Sequence, residues 1–292
     1  MTRLRRSLLF VPASSEKFFA KAKDSPADTL IFDLEDAVAP ERKPAARETL
    51  KEVLRDQGFA RFERTVRING LDTPYFLDDV LAMVEAGADG LVVPKTNTAE
   101  SILFVDRLVA LAEQRAGRAT GSVVLLPLIE QPEAIGNVFA IARATPRIAA
   151  LAFGHGDFSA AMGIKAASST DGVVFHARCQ VVVAAKAAGV VPIDNVFLDI
   201  PHIDGLVAET HQGKQLGYEG KACIHPNQVE PVNRAYTPTP EEVAYARELV
   251  VAFEQAVAEG KGAVAFRGRM IDDPIAAIER KVLERARKAG VE

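Results

Sequence analysis

Two acidic residues stand where apolar runs end, and their side chains are of the type that binds a hard metal ion. Glu130 follows the run 123–129, and Asp157 follows the run 148–153 within the stretch Gly154-His155-Gly156-Asp157. Taken alone, each acid is more simply a helix cap or a solvated charge. Taken together, beside glycines that let a ligand approach the backbone, they predict a site for Mg²⁺, which prefers carboxylate and water oxygens.

The elements around these acids explain how they could meet. Each apolar run predicts a strand buried on both faces, and the alanine-rich segment 133–145 between them predicts a helix. The three segments form a β-α-β unit with parallel strands. Both carboxylates are therefore expected at the carboxyl edge of one sheet, where α/β folds place their sites.

Other charged residues are predicted at the same edge because they end further apolar runs: Glu35, Asp36, Arg67, Lys95, Asp199 and His225. Arg67 could hold a ligand carboxylate through two parallel hydrogen bonds or form a structural ion pair with Glu35 or Asp36, and the pattern leaves both open. Lys95 is expected to pair with one of the acids. Asp33 lies inside a run, where a structural role and a role in the site are equally compatible with the pattern.

Eight predicted strands alternate with helices along the 292 residues, a pattern typical of a (β/α)₈ TIM barrel of the α/β class. We predict a catalytic barrel domain over 1–259 and a helical extension over 260–292 that packs on a neighbouring subunit. A capping box at Thr239-Pro240-Glu241-Glu242 predicts a helix start. Asp273-Pro274 predicts another start with Asp273 as the cap, which leaves Asp272 without a structural role.

The composition excludes several classes of protein. A formal net charge of -4 gives no reason to expect nucleic acid or a membrane surface as a partner. No apolar segment is long enough to span a bilayer. Cys179 and Cys223 have no partner spacing and sit in apolar surroundings, so we predict buried free thiols, which suits a reducing cytoplasm.

A longer ordered set of stretches identifies a family resemblance. The set is Leu8-Leu9-Phe10-Val11-Pro12, Phe32-Asp33-Leu34-Glu35-Asp36-Ala37-Val38, Val66-Arg67-Ile68-Asn69, Leu128-Ile129-Glu130, Phe153-Gly154-x-x-Asp157 and Ile224-His225-Pro226. It resembles the citrate lyase β-subunit-like family of the HpcH/HpaI aldolase superfamily. The resemblance implies a Mg²⁺-dependent carbon-carbon lyase that cleaves acyl-CoA thioesters such as malyl-CoA or citramalyl-CoA to a small α-keto acid and an acyl-CoA. It also implies a homo-oligomer, a trimer or hexamer of TIM barrels.

The same resemblance implies roles for individual residues. Glu130 and Asp157 are expected to bind Mg²⁺, with Glu130 also facing the substrate. Arg67 is expected to hold the keto acid carboxylate, and Asp36 to order water on the metal. Phe10 corresponds to a family residue that lies against the CoA end of the substrate.

Two further features lie near the ends of the chain. The segment Met270-Ile271-Asp272 is similar to the tail of malyl-CoA and citramalyl-CoA lyases, in which this aspartate enters the adjacent subunit's site as a catalytic acid and base. Ala13-Ser14-Ser15-Glu16 stands where many relatives carry a Gly-Ser-Arg-Pro type of turn near the CoA phosphates. Lys17 is therefore our candidate for the CoA contact.

Alternatives to a stand-alone acyl-CoA lyase come from the same residues. One is a citrate lyase β subunit that acts on an acyl-carrier-protein thioester, and another is a malyl-CoA thioesterase. A third is a CoA-binding scaffold without catalytic activity. The Asp272 tail favours the stand-alone lyase.

Overall fold

Eight parallel strands close into a barrel in the computed structural model, which describes residues 3–165 and 170–292. The strands are β1 (Ser7–Pro12), β2 (Thr29–Asp33), β3 (Glu63–Arg67), β4 (Gly90–Val93), β5 (Val124–Ile129), β6 (Ala150–Phe153), β7 (Val191–Asp194) and β8 (Gly220–Cys223). They pair in chain order, and β1 also pairs with β8. The predicted TIM barrel is confirmed.

Helices follow the strands and cover the outside of the barrel. They are α1 (Glu16–Lys23), α2 (Lys43–Arg55), α3 (Phe76–Ala86), α4 (Ala99–Arg115), α5 (Pro132–Ala142), α6 (His155–Ala161), α7 (Gly172–Ala188), α8 (Ile203–Leu216) and α9 (Pro226–Tyr236). Short 3₁₀ turns occupy Pro40–Arg42 and Gln57–Phe59. Strand side chains point alternately into the barrel and outward beneath the helices, and both positions are shielded from water. All the residues of β2, β4, β6 and β8 are therefore buried.

The strand β6 shows how alternation divides the core into two layers. Leu151 points outward and packs in a cluster with residues of α5 and α7. Ala150 and Ala152 point into the barrel, where they pack with aliphatic residues of other strands. The outer layer holds the helices on the barrel, and the inner layer forms the floor below the carboxyl ends of the strands.

Barrel closure depends on a glycine at the start of β8. A Cβ atom on Gly220 would overlap the carbonyl oxygen of Arg5, so a side chain there would push β8 away from the segment leading into β1. The next residue, Lys221, donates its backbone N–H to the Arg6 carbonyl at 2.9 Å. This close approach lets the first and last strands pair.

Among the described residues, 3–4 and 234–292 form one compact unit, and 5–165 with 170–233 form another. The first unit contains α10 (Pro240–Ala258), which begins with the predicted capping box between Thr239 and Glu242. Residues after Gly260 form an antiparallel hairpin that the sequence reading did not identify, β9 (Ala263–Phe266) and β10 (Arg269–Asp272). Its turn residues Arg267 and Gly268 both have positive φ, 47° and 78°, the backbone signature of a tight hairpin turn.

The last helix, α11 (Asp273–Ala289), corrects our assignment of its cap. Asp272, rather than Asp273, is the N-cap residue, and its side chain accepts a hydrogen bond from the Ile275 N–H at 3.3 Å. Asp272 ends the hairpin and immediately precedes the first turn of α11. It therefore has a structural role as the cap of that helix.

Both cysteines are free thiols, as predicted, but only one is buried. Burial raises the pKa of the Cys223 thiol to about 12, so it is protonated at neutral pH. Cys179 is half-buried. Across 3–165 and 170–292, no helix has both the length and the apolar character that crossing a membrane requires.

Candidate active site

A cavity opens at the carboxyl ends of the strands and extends into the barrel. Its volume is about 660 Å³, including open space at its mouth. Three charged side chains line it, Arg67 at the end of β3, Glu130 just after β5 and Asp157 after β6. The structure thus brings together the two predicted metal ligands and the predicted carboxylate-binding arginine.

Glu130 is a buried acid with little to neutralise it. Its side chain is 1 % exposed, and its Oε1 accepts a hydrogen bond from the backbone N–H of Lys95 at 2.7 Å. Burial, followed by the negative charge of Asp157, raises the pKa of Glu130 well above its ordinary value. A divalent cation bound by the two carboxylates would oppose that shift, because it would stabilise the ionised form of Glu130.

Gly154 has a different structural role from the one that the sequence predicted. A Cβ atom at this position would lie 2.6 Å from Glu130 Oε2 and 2.7 Å from Glu130 Cβ. The glycine therefore leaves room for the glutamate side chain, whereas the sequence suggested that it admits a ligand to the backbone.

Asp157 lies in the first turn of α6, a short helix that begins directly after Gly154. The sequence pattern did not predict this helix. The helix turns the chain back at once, so the Asp157 carboxylate lines the same cavity as Glu130.

The donor set fits Mg²⁺ rather than a metal that needs a full protein cage. Among the residues that the structure describes, no group of three or more His, Cys, Asp or Glu side chains is arranged to hold a metal. The pair Glu130 and Asp157 provides two hard carboxylates facing open space. Magnesium commonly binds to one or two carboxylates and completes its octahedron with water and substrate oxygens.

The Arg67 guanidinium is oriented by Asp33, the last residue of β2. Its Nε and Nη2 atoms donate to the two carboxylate oxygens of Asp33 at 2.8 and 2.7 Å. Asp33 also accepts the backbone N–H groups of Glu35 and Ala37. The open question about Asp33 is thereby answered in favour of a structural role that orients the arginine. Asp33 takes two of the five guanidinium N–H groups, and the Nη1 atom lies beside the carboxylates of Glu35 and Asp36.

Glu35, Asp36 and Lys95 form a polar rim beside Arg67. Glu35 Oε2 lies 3.0 Å from Arg67 Nη1, and Glu35 Oε1 accepts from Lys95 Nζ at 2.8 Å, as expected for a lysine paired with a strand-end acid. Burial outweighs the attraction of Arg67 and Lys95 and raises the pKa of Glu35. The Asp36 carboxylate is largely exposed and lies 3.5 Å from Arg67 Nη1.

Two predicted edge residues, Asp199 and His225, belong neither to the cavity lining nor to this rim. Asp199 was placed at the tip of a strand, but β7 ends at Asp194, and the exposed Asp199 carboxylate lies 3.9 Å from His202. His225 Nδ1 interacts with Asn227 within its own turn at 2.7 Å. The strand-end acid is Asp194, which is fully buried and accepts two hydrogen bonds from Arg178, each 2.6 or 2.7 Å long.

His155 lines the cavity, although the sequence pattern had indicated no role for it. It is 4 % exposed, and its Nδ1 has no hydrogen-bond partner among the described residues. Burial lowers its pKa, so the imidazole is neutral at neutral pH. The one available signal was its position between two glycines immediately after an apolar strand.

The remaining candidates have clear places in the fold. Phe10 lines the cavity, and its ring centre lies 5.1 Å from the Arg67 guanidinium carbon, a cation–π distance. Lys17 is exposed on α1, whose N-cap residue Ser15 makes no side-chain capping bond.

Comparisons with known proteins agree on one family. The family model described as HpcH/HpaI aldolase/citrate lyase matches residues 6–226. Citrate lyase subunit beta of Escherichia coli K12 is 37% identical over 99% of this chain and 96% of its own length. L-malyl-CoA/beta-methylmalyl-CoA lyase of Rhodobacter capsulatus is 37% identical over 92% of this chain and 91% of its own length.

A solved relative has ligands. It is the protein CitE from Mycobacterium tuberculosis in complex with magnesium, acetoacetate and coenzyme A, which is 31% identical with a TM-score of 0.77 and covers 99% of this chain and 100% of its own.

Proposed function

The chain belongs to the HpcH/HpaI aldolase/citrate lyase family, and from that premise we propose that it is a Mg²⁺-dependent carbon-carbon lyase acting on a 3-hydroxyacyl-CoA thioester. The observation that supports this most is the shared cavity of Arg67, Glu130 and Asp157. A fixed cation beside two carboxylates suits a substrate that carries both a carboxylate and a hydroxyl group on one carbon.

The reaction breaks one bond between carbons. The 3-hydroxyl loses its proton and becomes the keto oxygen, and the electrons of the broken bond move into the thioester as an enolate. The enolate then gains a proton at its C2 atom. The products are an α-keto acid and a shortened acyl-CoA. Malyl-CoA and citramalyl-CoA are the proposed substrates.

Each residue has a proposed part in this reaction. Glu130 and Asp157 would hold the metal ion, which would supply Lewis-acid polarisation of the oxygens that leave as the keto acid. Arg67, oriented by Asp33, binds the carboxylate. Asp36 orients water at the exposed rim.

Other residues are proposed to act on the thioester and the enolate. Asp272 of a neighbouring copy is the proposed acid that protonates the enolate, which requires a homo-oligomer such as a trimer. Lys17 and Phe10 are the proposed contacts of the CoA portion.

A second candidate is supported by the similarity to citrate lyase subunit beta. Since the Escherichia coli subunit aligns with 99% of this chain, the residues around Asp272 do not by themselves separate the two classes. For this second candidate, the thioester is carried by an acyl carrier protein instead of CoA, and the barrel residues have the same proposed roles.

The deciding experiment is cleavage of malyl-CoA and citramalyl-CoA with and without Mg²⁺, with the keto acid trapped as it forms. We expect metal-dependent keto acid in wild type. Asp272→Asn should reduce the rate by roughly a hundredfold or more, as for loss of a positioned acid. Because Asn also caps helices well, this variant should keep the stability that Asp272→Ala loses, about 1 kcal/mol.

Other results would redirect the proposal. Free malate or citramalate in place of keto acid would identify a thioesterase. Activity only on a thioester of an acyl carrier protein would identify the citrate lyase type. A rate unchanged in Asp272→Asn would remove that residue from the mechanism.

A further inference from the structure

Below the charged groups, the cavity continues into the barrel between rings of side chains. In a (β/α)₈ barrel the interior residues form layers, each contributed by alternate strands. The strand register places Phe10, Arg67 and Leu128 in one layer. The layer beneath it comes from the even-numbered strands and consists of Ile31, Val92, Ala152 and Ala222, all of which line the cavity.

Two alanines in that layer create the space. Barrel interiors are usually filled by bulky branched side chains, but here β6 and β8 each contribute only a methyl group. Ala152 and Ala222 remain 8 % and 6 % exposed, whereas Leu8, Leu126 and Ile193 in the next layer are at most 1 % exposed. We call this space the inner chamber, with Ile31, Val92, Ala152 and Ala222 as its walls and Leu8, Leu126 and Ile193 as its floor.

The proposed reaction decides which part of the substrate faces the inner chamber. The carbon that bears the hydroxyl group has four substituents. Its hydroxyl and carboxylate face Arg67, Glu130 and Asp157, and its thioester arm leaves through the open mouth because CoA is too large for the barrel. The fourth substituent, which stays on the keto acid after cleavage, therefore points down into the chamber.

Resting on the proposed function, we propose that this fourth substituent is a short alkyl group, so that the keto acid is a monocarboxylic 2-oxo acid with a methyl, ethyl or propyl chain. The chamber walls and floor are aliphatic, and Arg67 is the only lysine or arginine among the described residues that line the cavity. A second carboxylate, as in oxaloacetate, would be buried without a partner. A hydrogen, as in glyoxylate, would leave the chamber unfilled.

The test is the condensation of acetyl-CoA with a series of keto acids in the presence of Mg²⁺. The series is glyoxylate, pyruvate, 2-oxobutyrate, 2-oxovalerate and oxaloacetate, and kcat/KM is measured for each. We expect kcat/KM to rise from pyruvate to 2-oxobutyrate by up to about fourfold for the added methylene. Glyoxylate is an aldehyde of higher intrinsic reactivity, so it is compared with pyruvate through binding. Oxaloacetate should be at least tenfold poorer than pyruvate. Thermal stabilisation of the Mg²⁺-loaded protein by the free keto acids should follow the same order.

Variants of the chamber wall test its size directly. Val92→Ala enlarges the chamber and should shift the preferred keto acid towards 2-oxovalerate. Val93→Ala is the matched control, because Val93 is equally buried on the same strand but is not part of the cavity lining, and it should leave the order of keto acids unchanged. Ala152→Leu fills the chamber and should lower the ratio of kcat/KM for 2-oxobutyrate over glyoxylate at least tenfold.

The outcomes separate this inference from the proposed function. If no keto acid condenses with acetyl-CoA, the lyase proposal itself fails and the substrate assignment fails with it. If kcat/KM falls from pyruvate to 2-oxobutyrate, if glyoxylate stabilises the Mg²⁺-loaded protein more than pyruvate does, or if oxaloacetate matches pyruvate, the lyase stands and the alkyl assignment is overturned. A shift in preference in Val93→Ala equal to that in Val92→Ala would likewise overturn it.

Discussion

At the scale of single residues, the site consists of charges that the fold holds close together at a cost in stability. Glu130 is buried beside Asp157, and Glu35 is buried beside Asp36. Each arrangement raises a carboxyl pKa because the ionised form loses water and faces another negative charge. Groups perturbed in this way are typical of functional sites.

A pH prediction follows for Glu130. A carboxyl whose pKa is raised by folding binds its proton more tightly in the folded state, so stability is lost as pH rises from the ordinary value of 4.5 through the raised value. In metal-free protein, Glu130→Gln should therefore remove this loss and raise the free energy of unfolding near pH 8 by about 1–3 kcal/mol. Urea unfolding of both proteins at pH 5 and pH 8 measures it. An equal difference at both pH values would contradict the assignment.

Gly154 leads to a second prediction at this scale. Gly154→Ala would force the new Cβ into Glu130, so Mg²⁺ affinity should fall roughly 10- to 100-fold, as for displaced groups that orient metal ligands. Calorimetric titration with Mg²⁺ measures the loss. Gly136→Ala is the control, because a Cβ there meets nothing within 4 Å in α5, and it should stabilise the protein by about 0.5–1 kcal/mol without changing Mg²⁺ affinity.

At the scale of elements, the connection from β4 to α4 links the separate parts of the rim. Lys95 adopts a positive φ of 49°, unusual for a residue with a side chain. In this conformation its backbone N–H holds Glu130 while its ammonium group holds Glu35. One residue thus connects the metal-binding acid with the acid beside Arg67.

The backbone and the ammonium group of Lys95 can be tested separately. Lys95→Gly removes the ammonium group but accepts the positive φ, so Mg²⁺ affinity should remain within a few-fold of wild type. Lys95→Val removes the same group and also disfavours that conformation by about 1–2 kcal/mol, so it should bind Mg²⁺ more weakly and unfold at lower urea. Equal losses in the two variants would show that the ammonium group, not the backbone, sets the position of Glu130.

At the scale of the whole barrel, a buried ionic network joins β7 and β8 to the helices outside them. Lys221 is fully buried and donates to Glu209 of α8 at 2.6 Å, with Asp194 at 3.6 Å. Arg178 of α7 donates from Nε and Nη2 to the two carboxylate oxygens of Asp194, and from Nη1 to Gln212. The network satisfies charges that the last two strands carry into the interior.

Breaking this network should be far more damaging than breaking a surface pair. Lys221→Met leaves Glu209 buried with one partner fewer and should lower the free energy of unfolding by about 3–5 kcal/mol. Lys261→Met is the matched control, since its pair with Glu259 is 62 % exposed on both sides, and it should change stability by less than about 1 kcal/mol. Thermal and urea unfolding measure both. A small effect of Lys221→Met would mean that Asp194 and Arg178 alone neutralise the site.

The sequence alone determined the eight buried strands, the barrel they form and the edge at which Glu130, Asp157 and Arg67 meet, because apolar runs, their lengths and their polar ends are local properties. Tertiary structure decided which neighbours those residues have. The pairing of Asp33 with Arg67, the space that Gly154 leaves for Glu130 and the layer containing Ala152 and Ala222 all depend on strand register and barrel closure.

The same distinction explains two of the places where our reading of the sequence was wrong. Asp199 and Asp194 both follow apolar residues, and only the pairing of β7 with its neighbours shows where the strand ends. Asp272 and Asp273 both lie within two residues of Pro274, and only the backbone at 272, extended with a φ of -122°, identifies the cap. Boundaries are set by hydrogen bonds to partners distant in sequence or by backbone geometry, which composition and periodicity do not encode.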